Sequence, residues 1–278
     1  MATPSTTHSG VGLRWVQIFA LNATGSPNAS GTAVYEGVQI EGAKALTLNA
    51  PESRTITHVG DDRVIAVDKL PPTDASSGEL TTAKIDDDLE EILTNNNVIT
   101  VGDGESKAIL IATDNQGSEP QIGMLAYRQT LDTNKGSATY GKRLWEWYLI
   151  PKAFVIPKPP SFNENGVEVA YSLFPQIVGA HLWETAFTVA AENAVEAQFA
   201  RGVSEYAPII VAFKGDGATA AFTFHADRPA QATAKISAWK NGVLVTTGLT
   251  KATTGITFTA GTPANGDRVV VFYEKTSA

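Results

Sequence analysis

The sequence predicts a mainly β protein, a larger β-sandwich or barrel with one or two helices followed by a small β-sandwich. Three observations carry this. Short runs bearing Val, Ile and Thr recur along the 278 residues, punctuated by Gly, Pro and Asn, as antiparallel sheets require. Helical periodicity is confined to two stretches. From about Pro208 the runs alternate with turns at the spacing of a small sandwich.

The first strand candidates are Leu13–Leu21, Thr32–Ile40, Lys44–Leu48, Arg54–Val59 and Arg63–Asp68. Pro71-Pro72, within the segment Asp61–Ser77, is a stop signal and reads as part of a long loop. Ile85, Leu89, Ile92 and Leu93 then fall at i, i+4, i+7 and i+8, one face of a short helix. Further strand candidates are Val98–Val101, Ser106–Thr113, Met124–Gln129, Trp145–Pro151, Ala153–Ile156 and Val167–Pro175. Residues 187–201 are Ala-rich, with Phe187, Ala190, Ala191, Ala194, Val195 and Phe199 on roughly one face. A second helix is expected there, with Gly202 as its C-cap.

The last candidates are Ile209–Phe213, Ala220–Phe224, Ala234–Trp239, Val243–Leu249, Ile256–Thr259 and Arg268–Tyr273. Asn241-Gly242, between two apolar runs, is the strongest hairpin signal, because a type I′ turn wants φ > 0 at both central positions. A domain 1–207 and a separable, outward-facing module 208–278 follow from this change of texture.

An apolar fraction of 43% and a charged fraction of 18% suit a globular chain, and with no cysteine there are no disulfides or thiolate metal sites. No apolar run is long enough for a membrane helix. The opening eight residues lack a basic n-region and Arg14 interrupts Val11–Ala20, so a soluble product made in the cytoplasm is expected. The net charge of −8 is unevenly spread. From Pro208 onward seven Lys/Arg face four Asp/Glu, or +3, leaving 14 against 25, or −11, in residues 1–207. So acidic a main body argues against direct nucleic-acid binding, which needs a basic footprint.

No catalytic, cofactor or metal constellation emerges. His8, His58, His181 and His225 are far apart and none has a second ligand at metal spacing. Gly102-Asp103-Gly104 and Gly215-Asp216-Gly217 lead into no Gly-Lys-Thr/Ser helix and read as turns. Asp86, Asp87, Asp88, Glu90 and Glu91 lack the alternate spacing of a calcium loop and read first as a solvated helix face. On a strand, Trp145 and Trp147 share a face with Leu149, so core packing comes before a carbohydrate platform.

The stretch Gly141-Lys-Arg-Leu-Trp-Glu-Trp-Tyr-Leu-Ile-Pro-Lys-Ala, with Val167–Pro175 and His181-Leu-Trp-Glu-Thr-Ala-Phe, resembles the later part of tail-tube and major tail proteins of tailed bacteriophages. Val34-Tyr-Glu-Gly-Val-Gln-Ile and Ala45-Leu-Thr-Leu resemble their first hairpin. Gly215-Asp-Gly-Ala-Thr-Ala-Ala-Phe-Thr-Phe, Trp239-Lys-Asn-Gly, Ile256-Thr-Phe and Pro263-Ala-Asn-Gly-Asp-Arg-Val-Val-Val-Phe-Tyr resemble an Ig-like β-sandwich module of phage tail surfaces and fibres.

The resemblance implies a tail-tube-type domain and a structural virion protein without catalytic residues. Its subunits would form hexameric rings stacked into the tail's DNA conduit. Its partners would be copies of itself and other tail proteins, with DNA in passage and no membrane. Under that reading Asp86, Asp87, Asp88, Glu90 and Glu91 are candidates to line the channel, where carboxylates repel phosphate. Rival readings are a capsid or tail accessory protein (decoration or terminator), a carbohydrate-binding protein using Trp145, Trp147 or Trp239, and an enzyme.

Overall fold

In a computed structural model of the chain, His8–Ala20 forms the strand β1, which belongs to the largest of the sheets. The structure describes residues 8–22, 25–29, 34–40, 42–49, 54–60, 63–70, 77–83, 89, 92–93, 98–101, 108–111, 121–158, 160–163, 166–176 and 199–276. For 8–11, 54–60, 63–70, 98–101, 108–111, 163 and 166 the backbone alone is described. The fold is mainly β and its pairings are antiparallel, as the sequence predicts.

After β1 come β2 (Val38–Ile40), β3 (Ala43–Asn49), β4 (Arg54–Gly60), β5 (Arg63–Leu70), β6 (Ser77–Thr82), β7 (Val98–Val101) and β8 (Ala108–Ile111). Then follow β9 (Gln121–Asp132), β10 (Arg143–Pro157), β11 (Ser161–Asn163), β12 (Gly166–Pro175) and β13 (Ala200–Ser204). The large sheet runs β2-β1-β9-β10-β12-β6-β3, with β11 on β12 and β13 on β10. β4 and β5 pair with each other, as do β7 and β8.

The two candidates Trp145–Pro151 and Ala153–Ile156 are one strand. Pro151 offers no N–H to a ladder, and the register with β9 slips between Ile150 and Ala153. Before the slip β10 pairs with β13; after it, with β12. Alternation along these strands buries Val16, Ile18, Met124, Ala126, Ile150, Tyr171 and Leu173 in a first core. Leu89 and Leu93 are helical and fully buried against it, and Ile92 packs on it. That is the apolar face the spacing predicts; Ile85 lies outside the described residues.

Two expectations need correction. Of the described part of Thr32–Ile40, residues 34–40, only Val38–Ile40 is strand: Gly37 takes φ +65°, and a Cβ there would meet the Ile18 carbonyl oxygen at 2.1 Å. The helix over 187–201 with a Gly202 cap also fails where it can be seen. Ala200–Ser204 is a strand, and residues 187–198 lie outside the described residues.

Gly202 is placed opposite Trp147 across the β10–β13 ladder, and the indole fills the space a Cβ would take, 2.2 Å from Cζ2. The ring is itself held by Nε1–H donating to Ser204 Oγ at 3.1 Å, so it has little room to give. Gly202→Ala is expected to cost about 1–3 kcal/mol as overpacking, read as a lower urea midpoint at unchanged slope.

The C-terminal part has two sheets around its own core. One is β14 (Pro208–Lys214), β20 (Arg268–Glu274), β16 (Ile236–Lys240) and β17 (Val243–Leu244). The other is β15 (Ala221–Thr223), β19 (Gly255–Phe258) and β18 (Leu249–Ala252). Between them lie Ile209, Val211, Phe213, Phe222, Phe258, Val269, Val271 and Tyr273. Asn241 and Gly242 take φ of 50° and 80° at the β16–β17 turn, the hairpin the dipeptide predicts.

Ile209, Val211 and Phe213 of β14 enter this core, and Ile210 and Ala212 between them face the larger sheet. Ile210 and Ala212, with Val270, pack on Phe19, Leu125, Tyr127, Trp147 and Leu149 in a third apolar cluster. The backbone is joined across the same seam. Tyr35 and Ala212 exchange both N–H···O bonds at 3.0 Å, and Gln17 Nε2 donates to the Ile210 carbonyl at 3.0 Å.

Candidate functional site

Asp86, Asp87, Asp88, Glu90 and Glu91, the sequence-predicted channel lining, lie outside the described residues. The same holds for Gly102-Asp103-Gly104 and His181. Gly215-Asp216-Gly217 forms the turn that the sequence predicts. Asp216 Oδ1 accepts from the Ala218 and Thr219 N–H groups at 2.8 and 2.6 Å, and these bonds with the Thr219 hydroxyl hold its carboxyl down at about 2. His225 is exposed, with Nδ1 3.6 Å from Asp227 Oδ2. Among the described residues no group of three or more His, Asp or Glu could hold a metal ion.

The tryptophans sort by depth. Trp147 and Trp239 are 6% and 5% exposed, so neither is a platform for a sugar. Trp145 is half-buried, and with Leu149 it belongs to the face that Trp147 occupies, as strand alternation predicts. Tyr127 sits edge-on to both Trp15 and Trp145, with centroids 5.7 and 5.3 Å apart.

Next to this aromatic group two cations stand over Trp15. Arg228 Cζ is 5.3 Å from its ring centroid and Lys275 Nζ 4.5 Å. Arg228 is anchored by Glu36, Nη1 to Oε2 at 2.5 Å, across the seam between the layers. Burial, and then the like charge of Arg228, hold the Lys275 ammonium below its ordinary pKa, against the pull of Glu36.

On the opposite face of β10, Glu146 is fully buried between two guanidiniums. Its Oε2 accepts from Arg128, at 2.8 Å from Nε and 2.7 Å from Nη2. Oε1 takes Arg201 Nη2 at 2.5 Å and the Tyr148 hydroxyl at 2.9 Å. Burial alone would raise this carboxyl; the bonds from Arg128 and Tyr148 and the two positive charges outweigh it, and the pKa lies below the usual glutamate value.

Sequence reasoning passed over Glu146, yet its signal was legible. A lone carboxylate between two tryptophans on an apolar strand has to be paired if it is buried. Trp15, Arg228 and Lys275 carried no such signal, because they meet only when the two layers pack. Set against known proteins, the chain matches no family model and no curated protein.

Proposed function

We propose that the chain is a structural, self-assembling protein without catalytic activity: the subunit of a bacteriophage tail tube, whose rings stack into a conduit for DNA. The observation that carries this is the pair of hairpins β4–β5 and β7–β8. Each forms a two-stranded sheet that pairs with no other strand among the described residues. Such a hairpin is marginal alone in water, so a surface that receives it is needed. A neighbouring copy is the simplest donor of that surface, and heterologous contacts of this kind close into rings or run on as filaments.

The mainly β architecture, and the likeness of 141–153, 167–175 and 181–187 to tail proteins, support the same reading. The acidic balance of residues 1–207 would then serve a lumen that DNA passes without sticking. Under this reading the working location is the virion tail. Among the described residues no helix is long and apolar enough to cross a membrane.

Electron microscopy of the purified chain at high concentration should show rings and short tubes. Replacing residues 54–70 by a short turn should abolish them while the near-UV circular dichroism of the body persists. A chain that stays monomeric in sedimentation at every concentration overturns the proposal.

A further inference from the structure

Where the larger sheet's aromatic face runs out beyond the C-terminal sandwich, a cleft of about 570 Å³ opens. That is within the usual size of a small-ligand site. Trp15, Tyr127, Trp145 and Tyr206 give it apolar walls, and Arg14, Lys142, Arg143 and Lys275 face them, with Glu205 the lone carboxylate of the lining. Lys142 is paired to Glu205 at 3.1 Å, and Arg14 donates to Gln129 at 3.4 Å. Arg143 and Lys275 form no ion pair among the described residues. This is a local balance of +3 in a chain of net −8.

Trp15 adds a buried indole N–H with no acceptor among the described residues. Cations without an ion pair and a half-buried ring together describe a place for an anion with an apolar face.

We propose that this cleft binds an acidic saccharide, one sugar ring lying on Trp145 with its carboxylate held by Arg143 and Lys275. The ring geometry favours a sugar over single-stranded nucleic acid. Successive bases need a series of accessible aromatic faces. Here the rings stand edge-on, at 64° for Trp15–Tyr127 and 87° for Tyr127–Trp145, and Trp15 is already engaged by two cations. One partly open ring beside two cations that lack an ion pair, Arg143 and Lys275, suits one ring bearing one charge. This site is independent of the tube reading, since it needs one copy of the chain alone.

The test is calorimetric titration of the full chain with trigalacturonate, with uncharged galactotriose and with oligothymidylate, alongside quenching of tryptophan fluorescence. Trigalacturonate should bind at micromolar to low millimolar Kd, weakening as salt rises, with galactotriose at least tenfold weaker. Arg143→Gln, at an exposed position, should weaken trigalacturonate about tenfold with Tm unchanged, and Trp145→Ala should weaken it at least as much. No binding up to millimolar trigalacturonate, equal binding of the neutral sugar, or unchanged binding by Arg143→Gln each overturns the proposal. Tighter binding of oligothymidylate that responds to the same substitutions also overturns it, in favour of a nucleic-acid site.

Discussion

A chain ending at Ala207 is expected to lose its native packing, although texture and charge invite the view that 208–278 is a removable module. The reason is the third apolar cluster. Phe19, Leu125, Tyr127, Trp147 and Leu149 are buried together with Ile210, Ala212 and Val270. Re-exposing side chains of this size costs about 1.5–3 kcal/mol each. The sum is of the same order as the whole stability of a domain, about 5–15 kcal/mol. The truncation also strips Ala212 from Tyr35 and the Ile210 carbonyl from Gln17, so buried polar groups lose partners at about 1–3 kcal/mol apiece. The truncated chain should show a weak near-UV spectrum, bind a hydrophobic dye and elute as aggregate. The piece 208–278 keeps its own core and is expected to fare better. A cooperative urea transition in 1–207 with the full chain's midpoint would show that the seam contributes little.

The seam was written in the sequence, in a form easy to pass over. Ile209-Ile210-Val211-Ala212-Phe213 and Val269-Val270-Val271-Phe272-Tyr273 do not alternate with polar residues, as a sandwich strand with one wet face would. Both strands are covered on two sides, by their own core and by the larger sheet. Strand positions were legible wherever β-branched residues stood between turn formers, and the Asn241-Gly242 hairpin was legible to the residue. β6, Ser-Gly-Glu-Leu-Thr-Thr, was not. Gly78 lies against the Thr47 carbonyl oxygen, where a Cβ would come within 2.7 Å, so packing rather than propensity places a strand there. Ala200–Ser204 misled for the opposite reason. Its one alanine and its glycine continue the Ala-rich helix pattern of 187–201, while the choice is made by Trp147, which needs a residue without a Cβ across the ladder. The cleft beside Trp15 was invisible because its walls come from sequence positions nearly the whole chain apart.

The Glu146 cluster should respond asymmetrically to losing either side. Glu146→Gln leaves two guanidiniums that are 39% and 54% exposed and can return to water, so its cost is expected to be about 1–2 kcal/mol. Replacing both cations, Arg128→Met with Arg201→Met, strands a carboxylate whose side chain is fully buried, at about 3–5 kcal/mol near pH 7. The pH dependence should then reverse. In the native chain the folded carboxyl lies below its unfolded value. Glu146 therefore contributes full stability above the ordinary glutamate pKa, about 4.5, and loses it as pH falls through the lower folded value. In the double variant desolvation acts unopposed by arginine and the folded pKa moves above 4.5. Between those two values the folded state binds the extra proton, so acidification relieves the defect. Urea unfolding of both proteins from pH 7 to 4.5 measures this: the gap between them should narrow by more than half. A gap constant across that range would mean that Glu146 is not held as a buried ion, and that its arginines contribute through packing alone.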